Sequence, residues 1–344
     1  MAIARGQGDE ALEMRTLADA ARVDRYHDRQ SEGLKKGLRA IELAGRVDDL
    51  YAQVAACYEA STDLARLGDL EGARQHAEEV LALAKRLRDR SWLSTALLAL
   101  VRLCDMQGDW QGSRAFSDRG LAAEPRDPRL LRSRTLLQYE VGDFAQGEAY
   151  LERLLEAMRL TSPGPNIPYA ILSITIPLAA RITGDTGRLE VAEAAAETVL
   201  SSPSATPSFA MVARGGLALL AVQRGDVAAA GEQYAALESG RGTTLGASRT
   251  PVDRLLGLLS HTMGNLDQAA AHFEDALAFC RKAGYRPDLA WTCCDYADAL
   301  LQRNNPGDRV KAMSLLDESL AISGELGMRP LMERCLSRRE ILRA

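Results

Sequence analysis

Apolar residues return along this chain with the period of an α-helix. After Gly68 and Asp69 they recur at spacings of three, four, three, one and three positions, at Leu70, Ala73, Ala77, Val80, Leu81 and Ala84. Such spacing places them on one face of a helix. The preceding segment 48–67 is rich in Ala, Leu and Tyr and contains no Pro or Gly, which predicts another helix. The sequence therefore predicts one helix on each side of Gly68.

A dipeptide of Gly followed by Asp or Asn marks the same junction throughout the chain. Its glycines are Gly68, Gly108, Gly142, Gly184, Gly225, Gly264 and Gly307, separated by 40, 34, 42, 41, 39 and 43 residues. Glycine accepts the left-handed conformation that ends a helix, and the Asp side chain caps the free N–H groups of the next helix. A near-constant period of this length is typical of a helical repeat array. Each dipeptide is therefore predicted to be the tight turn of an antiparallel helix pair.

The turns divide the chain into eight predicted helix pairs, spanning 9–45, 48–87, 90–123, 127–161, 166–202, 206–239, 249–283 and 286–325. In the first pair His27-Asp28 stands where Gly-Asp is expected, and two turns carry three extra residues, one after Gly184 and one from Asn304. A final helix is expected to cap the array with one apolar face. That face comprises Leu331, Met332, Cys335, Leu336 and Leu342.

Residues at fixed offsets from the turns resemble the second half of the tetratricopeptide repeat. Five residues past the glycine the residue is small, at Ala73, Ser113, Gly147, Ala230, Ala269 and Ala312, and nine residues past it a large residue is common, at Leu151, Tyr234, Phe273 and Leu316. The long repeats, and the stretch 286–330 in particular, resemble the C-terminal arrays of bacterial signal-transduction ATPases and LuxR-type regulators. The resemblance implies an all-α, right-handed superhelical solenoid of eight helix pairs with a C-terminal capping helix.

The fifth repeat, 162–205, is the least regular. Pro-rich segments flank it, and Pro177 lies inside its first helix, where a kink is expected. The segment Glu238 to Pro251 contains three glycines and is predicted to be a mobile loop. We therefore expect a single solenoid over 1–344 with a sub-division into 1–161 and 206–344. Because Met1 to Gly8 offers no cap, we also expect the chain to be a segment of a longer protein.

Composition excludes several classes of function. The chain has a net charge of −5 with 47 % hydrophobic and 26 % charged residues, so no global basic field draws it to nucleic acid or an anionic membrane. Its six cysteines form no CxxC pair, which favours reduced thiols in a cytoplasmic protein. Arginine outnumbers lysine and alanine is abundant, which is typical of a GC-rich bacterial genome.

No catalytic motif is present, so no cofactor, metal or enzymatic activity is predicted: the sequence contains no phosphate-binding loop, GxSxG elbow, HExxH or EF-hand pattern. Two interpretations apply to His272, Cys280, Cys293 and Cys294, which lie on neighbouring predicted helices. They could hold zinc. The alternative, which we prefer, is that these cysteines are small core residues.

The resemblance implies that the first helix of each pair lines a concave groove, at positions 13, 10, 6, 3 and 2 before the turn glycine. The predicted binding residues are Tyr58, Arg102, Arg129, Arg132, Tyr139, Ile171, Ile174, Leu178, Arg181, Arg254 and His261. An apolar floor with flanking arginines suits a ligand with an acidic group, because guanidinium forks bind carboxylates well. The alternative is that the isoleucines are core residues and the arginines are solvated.

Two functions follow from this pattern. The first is a protein- or peptide-binding scaffold, the sensor or interaction segment of a bacterial regulator, with no nucleic acid or membrane partner. The second is a stand-alone receptor for a small molecule or signalling peptide, with the groove closed into a pocket. A homodimer through the apolar fifth repeat is a further alternative.

Overall fold

The fold is an all-α solenoid, as the sequence predicts. A computed structural model describes residues 9–246 and 250–343, and these residues form seventeen α-helices. The helices are α1 (Glu10–Tyr26), α2 (Gln30–Ala44), α3 (Leu50–Arg66), α4 (Leu70–Leu87), α5 (Arg90–Gln107), α6 (Trp110–Ala123), α7 (Pro128–Glu140), α8 (Phe144–Arg159), α9 (Ile167–Thr183), α10 (Leu189–Leu200), α11 (Pro207–Arg224), α12 (Val227–Leu237), α13 (Val252–Thr262), α14 (Leu266–Ala283), α15 (Arg286–Arg303), α16 (Asp308–Leu326) and α17 (Arg329–Arg343). They pack as the eight predicted pairs, from α1–α2 to α15–α16, and α17 follows the last pair.

The Gly-Asp turns have the predicted roles. Gly68 takes a φ of +90°, a left-handed value that favours glycine, directly after α3. Asp69 then accepts a hydrogen bond from the Gly72 N–H at 2.9 Å, which caps the start of α4. The same capping bond forms at Asp109, Asp143 and Asp226. One dipeptide therefore ends one helix and begins the next.

Two turns use other residues in glycine's place. Asn304 has a φ of 53° at the end of α15, so it replaces the turn glycine as the sequence predicts. In the first pair the left-handed residue is Asp28, with a φ of 54°, and not His27. The expected frame of that pair was therefore wrong by one residue. Asp and Asn tolerate this conformation better than other residues with a Cβ, because their short polar side chains bond locally.

Small residues let the two helices of a pair pack closely. Ala73 and Ala230, five residues after their turn glycines, are fully buried. At Gly147 an added Cβ would lie 2.9 Å from the Tyr139 ring of the partner helix, so any larger residue would displace that ring. These contacts repeat the packing of a tetratricopeptide-like array.

The fifth pair packs against the sixth through a close approach of two backbones. Helix α9 continues through Pro177, which lacks the N–H that would bond the Ser173 carbonyl. Helix α11 passes at this point, and a Cβ added to Gly216 would lie only 2.1 Å from the Ser173 oxygen. Ile174 is also fully buried within the chain, so this apolar residue of the repeat belongs to the core. The sub-division of the array around it stays a prediction.

The superhelix is wound so tightly that successive turns touch. Helix pairs five apart are in contact: Tyr26 of the first pair meets Phe209 of the sixth, with ring centroids 5.8 Å apart. Tyr285, after the seventh pair, donates to the Ala65 carbonyl of the second, and Arg329 of α17 donates to the Gly142 carbonyl of the fourth, at 2.5 Å. These contacts show that one superhelical turn comprises about five helix pairs. They also close the groove into a central channel.

The segment between α12 and α13 is packed rather than free, so the prediction of a mobile loop was wrong for its described part. Leu245 is fully buried and lies against Gly215, where an added Cβ would be 2.4 Å from the leucine. Thr244 pairs with Pro251 in an isolated β-bridge. A single apolar residue in a glycine-rich stretch thus anchors the segment inside the superhelix. Residues 247–249 lie outside the described part of the chain.

Helix α17 covers the end of the array with Leu331 and Cys335, which are fully buried, as predicted for a cap. Leu336 was placed on this face wrongly, because its side chain is exposed. The Leu342 side chain and the expectation about Met1 to Gly8 lie outside the described residues. None of the described helices combines the length and apolar character needed to cross a membrane.

Candidate functional site

Several cavities of the channel lie between the first helices of the pairs. One of them, which we call the arginine cavity, has an empty volume of about 730 Å³. Its lining comes from six odd-numbered helices and the segment after α12. The residues are Arg25, Tyr26, Tyr58, Thr62, Arg66, Arg102, Arg129, Ile167, Ala170, Ile171, Ser208, Phe209, Val212 and Gly246.

Four guanidinium groups converge on the arginine cavity, and three of them are held by carboxylates behind the cavity wall. Arg25 pairs with Glu59, Arg66 with Asp28 at 2.9 Å, and Arg129 with Asp127 at 2.6 Å. Arg102 donates to the Tyr58 hydroxyl at 3.3 Å. The described lining residues include no Asp or Glu. The ion pairs therefore fix the direction of three of the guanidinium groups and balance part of their charge.

The phenol of Tyr58 reports the sign of the field in this cavity. Burial by itself raises the pKa of Tyr58, but Arg102, Arg25 and Arg129 lower that pKa below its ordinary value. A phenol titrates to an anion, so a lowered pKa in a buried position requires a net positive potential at its oxygen. The same potential favours any anionic group that enters beside Tyr58.

The opposite wall of the arginine cavity is apolar. Ile167 and Ile171 of α9 and Val212 of α11 line it, and the edge-to-face contact of Tyr26 with Phe209 bounds it where the two superhelical turns meet. An anionic ligand in this cavity would therefore place its charge on the arginines and an apolar part against α9 and α11. Cavities that combine a few directed polar groups with apolar walls are typical ligand sites.

A second cavity, which we call the tryptophan cavity, has an empty volume of about 690 Å³. Trp110 and Trp291 line it together with Leu178 and Ile182. Its charged groups are of both signs, at Asp105, Arg132, Glu140, Arg181, Arg254 and Asp288. A smaller cavity shares Arg66 and Arg102 with the arginine cavity and Met106 with the tryptophan cavity, so it lies between the two.

Arg181 and Arg254 are held by one carboxylate. Asp295 of α15 accepts hydrogen bonds from Arg181 at 2.6 Å and from Arg254 at 2.9 Å. The side chains of all three residues are at most 10 % exposed. Burial by itself raises the pKa of Asp295, but Arg181, Arg254 and Arg334 together lower it to about 2. The network ties the fifth, seventh and eighth pairs together across the channel, and it uses both arginines as structural cations.

Glu140 faces the tryptophan cavity from the end of α7. Both of its carboxylate oxygens lie 3.0 Å from the Trp291 Nε1, which donates to them across the channel. Burial is the main cause that raises the pKa of Glu140 to about 7, and Asp288 adds to it, while the Trp291 hydrogen bond and Arg254 act in the opposite direction. This carboxyl group therefore changes its charge close to neutral pH.

The segment after α12 divides the channel. Gly246 lines the arginine cavity, and Thr250 lines the tryptophan cavity. The Thr244 carbonyl accepts from Arg66 at 3.2 Å, which anchors the segment on the arginine side. The sequence analysis missed this role, because it considered only the glycines of the segment. The single apolar residue Leu245 among polar residues could have indicated that the segment is packed.

Most predicted binding residues lie on the inner surface. Tyr58, Arg102, Arg129 and Ile171 line the arginine cavity; Arg132, Leu178, Arg181 and Arg254 line the tryptophan cavity; and His261 lines a third cavity that also touches Arg181. Two residues lie elsewhere. Ile174 is core, and Tyr139 turns towards α8, where its hydroxyl donates to Glu148 at 3.1 Å. Whether the others bind a ligand stays a prediction.

Arg25, Tyr26 and Glu140 are among the lining residues that were missed, and a shift of frame explains the omission of Tyr26. Arg25 and Tyr26 stand three and two positions before Asp28, the residue that takes the turn conformation in the first pair. In the frame of His27, Tyr26 falls outside the inward positions, whereas Arg25 stands two positions before His27 and is inward in either frame. Glu140 stands two positions before Gly142, also an inward position of the repeat.

The zinc interpretation of His272 with Cys280 is not supported among the described residues. His272 instead contacts the Tyr234 hydroxyl at 2.8 Å and groups with Asp253 and Asp275. Cys280, Cys293 and Cys294 are buried free thiols, as the core interpretation requires. Burial raises the pKa of Cys280, as expected for a thiol in an apolar environment.

No family model matches the chain, and no curated protein is similar to it. In all, 46 chains of solved structures resemble it. A tetratricopeptide repeat protein from Parabacteroides merdae is 15 % identical with a TM-score of 0.42, over 82 % of this chain and 98 % of that one. A structure of Naa15/Naa10 bound to HypK is 15 % identical with a TM-score of 0.32, over 94 % of this chain and 54 % of that one. Neither similarity identifies a ligand of this chain.

Proposed function

We propose that this chain is a non-catalytic binding module that holds the acidic group of a peptide or small molecule in the arginine cavity. The observation that supports it is the convergence of Arg25, Arg66, Arg102 and Arg129 on one enclosed cavity with an apolar opposite wall. Arginine binds a carboxylate through two parallel hydrogen bonds, which gives direction as well as affinity. The positive potential at Tyr58 supports the same sign of ligand charge.

The closed channel favours a compact ligand or the end of a chain over a broad protein surface. A folded partner could reach the arginines only through a terminus or an extended acidic segment, because contacts between superhelical turns close the groove. The described lining residues contain no carboxylate, imidazole or thiol that could serve as a general base, so the proposal includes no reaction.

We further propose that this chain is the sensor or interaction segment of a cytoplasmic bacterial regulator. Its support is the resemblance of the long repeats, above all 286–330, to the arrays of such regulators. A ligand that bridges α1, α3 and α11 would stabilise the contact between the first and sixth pairs, and this would give the module two states to report.

The experiment is a thermal-shift screen with small carboxylates and short acidic peptides, each paired with its uncharged amide. We expect at least one acid to raise the melting temperature while its amide does not, because only the acid pairs with the guanidinium groups. Arg102→Gln should weaken that binding about 10-fold or more, the effect of losing one charged hydrogen bond. Isothermal titration would measure the affinity.

Arg224→Gln is the matched control. Arg224 lies on α11 like the cavity residue Val212, but it pairs with the exposed Glu193 at 2.7 Å. The substitution removes one positive charge, as Arg102→Gln does, but it leaves the cavity unchanged. Because exposed ion pairs contribute little, the affinity for the acid should stay within about twofold of that of the unmodified chain. Equal binding of acid and amide, or equal loss in both variants, would overturn the proposal.

A further inference from the structure

Three side chains with metal-binding atoms meet between α3 and α4, outside the channel cavities. They are Cys57 of α3 and His76 and Glu79 of α4, and one ligand atom of each lies within 4.8 Å of the other two. His76 and Glu79 are three positions apart on one helix, a spacing that places both on the same face. The antiparallel packing of the second pair brings Cys57 to that face. The cluster therefore arises from the repeat architecture itself.

One atom of this cluster lacks a hydrogen bond. The Nδ1 of His76 is buried and has no hydrogen-bond partner among the described residues. Its nearest ionic neighbour, the Glu79 Oε2, lies 3.9 Å away, which is too long for a hydrogen bond. A buried nitrogen left in this way costs free energy. A ligand that accepts the lone pair of that nitrogen would remove the cost.

The groups around the cluster suit a bound ion. Gln53 of α3 donates from Nε2 to the Glu79 Oε1 at 3.3 Å, which fixes the carboxylate with its other oxygen on the side of His76. Cys57 is fully buried, while the Glu79 side chain is 39 % exposed. One side of the cluster is thus dry and the other reaches solvent, which gives an ion a route in and leaves room for a water ligand.

We propose that Cys57, His76 and Glu79 form a binding site for a divalent transition-metal ion of the zinc type. Sulfur, imidazole nitrogen and carboxylate oxygen are the ligand atoms that zinc takes, in sites with three protein ligands and a water. Bond lengths of about 2.0–2.3 Å require ligand atoms somewhat closer than 4.8 Å, so the side chains close on the ion by rotamer adjustment. Gln53 acts as an outer-shell residue that orients Glu79.

Binding has a defined proton balance. The proton comes from the Cys57 thiol, because only the thiolate binds a metal ion. The metal bonds to the thiolate, and one proton passes from the sulfur to the buffer for each ion bound. Without a metal the same thiol lies beside the Glu79 carboxylate as a hydrogen-bond donor, and this alternative is one outcome of the test.

The experiment titrates the full chain with Co²⁺ and Zn²⁺ and follows absorbance and proton release. We expect one Co²⁺ per chain, with a thiolate-to-cobalt charge-transfer band, release of one proton and displacement by Zn²⁺. Changes to outer-shell residues typically weaken metal binding about 10–100-fold, and we expect an effect of this size for Gln53→Ala. Glu79→Gln and His76→Gln should weaken Co²⁺ binding by more than that. Cys57→Ala should abolish the charge-transfer band.

Cys104→Ala is the matched control, since Cys104 is a buried thiol of the third pair and does not belong to this cluster. It should bind Co²⁺ as the unmodified chain does. If Cys57→Ala fails to fold, the half-exposed Glu79→Gln variant still decides the question. Absence of stoichiometric binding, or Glu79→Gln and His76→Gln variants that bind as tightly as the unmodified chain, would overturn the proposal.

Discussion

The indole nitrogen of Trp110 donates a hydrogen bond to the carbonyl oxygen of Leu326, 2.8 Å away, and so joins the third helix pair to the eighth. The two residues are 216 positions apart in the chain. Next to this bond, a Cβ added to Gly108 would lie 2.7 Å from the Leu326 side chain, so this side chain packs directly on the Gly108 backbone. The turn glycine thus serves both its own helix pair and the contact between turns.

Trp110→Phe should loosen this contact while it keeps the aromatic surface. The substitution removes the donor to a carbonyl at the end of α16, and we expect a loss of about 1 kcal/mol, the usual effect of one neutral hydrogen bond. Hydrogen exchange should become faster in α16 and α17 and stay unchanged in α1. Trp92→Phe is the control, because the Trp92 indole packs against Tyr58 and not against Leu326. Unchanged exchange near Leu326 would contradict the proposed closure.

Gly216→Ala should be one of the most damaging single-methyl changes in the chain. The added Cβ would lie 2.1 Å from the Ser173 oxygen, a backbone atom of α9 that cannot rotate away. We expect a loss of about 2–3 kcal/mol, at the upper part of the range for overpacking. Chemical denaturation monitored by circular dichroism would measure it.

Gly231→Ala is the matched control for that change. Gly231 lies inside α12, and an added Cβ would meet Met263 at 3.6 Å, an ordinary contact. Alanine should therefore stabilise the helix by about 0.5–1 kcal/mol. Equal effects of the two substitutions would show that α9 and α11 are further apart than described.

The sequence predicts the local structure of this chain well because each helix pair is specified within about 40 residues. A turn glycine, a capping Asp such as Asp69 and a small residue such as Ala73 act on neighbours in the chain, and a period in the sequence repeats them. Inward positions follow from the same frame, which is why Arg102 and Arg129 could be placed on the cavity wall.

The contacts between superhelical turns could not be predicted in this way. Small differences in helix length and crossing angle accumulate over five pairs, so no local pattern fixes that Tyr285 reaches Ala65 or that Trp110 reaches Leu326. Tyr139 shows a second limit. Its position in the repeat faces the groove, but Gly147 leaves space for its ring against α8, and packing within the pair determines its direction.

Asp295→Asn should destabilise the chain by about 3–5 kcal/mol, because it leaves two buried guanidinium groups without their shared anion. The pKa of Asp295 is lowered to about 2 in the folded chain, so its stabilising charge is complete above the unfolded value of about 3.9 and is lost as pH falls towards 2. The difference in melting temperature between Asp295→Asn and the unmodified chain should therefore shrink below about pH 4. Calorimetry at several pH values would measure it.

Asp298→Asn on the same helix is the control for this network. Asp298 is 25 % exposed and pairs with Arg338 at 3.1 Å, so its loss should cost less than about 1 kcal/mol. A large effect of Asp298→Asn, or a pH-independent effect of Asp295→Asn between pH 3 and 7, would contradict the assignment of the buried charge.

Glu140 should give the chain a second pH dependence, of opposite sign. Its pKa is raised to about 7 in the folded chain, above the unfolded value of about 4.3. The folded chain therefore holds this proton more tightly, and the associated stability is present below about pH 4 and is lost as pH rises through 7. Protonation also removes the charge on the carboxyl group that faces the Trp291 indole, so the fluorescence of that indole should change over the same range.

Glu140→Gln tests this directly, because the amide keeps the shape of the side chain and removes its titration. We expect the variant to gain in melting temperature relative to the unmodified chain as pH rises from 5 to 8, since only the unmodified chain must bury a carboxylate there. The fluorescence change near pH 7 should disappear in Glu140→Gln and in Trp291→Phe, and persist in Glu193→Gln, whose carboxyl pairs with Arg224 at the surface. A midpoint near 4 in the unmodified chain would show that the carboxyl group is solvated, because solvation would leave its pKa at the ordinary value.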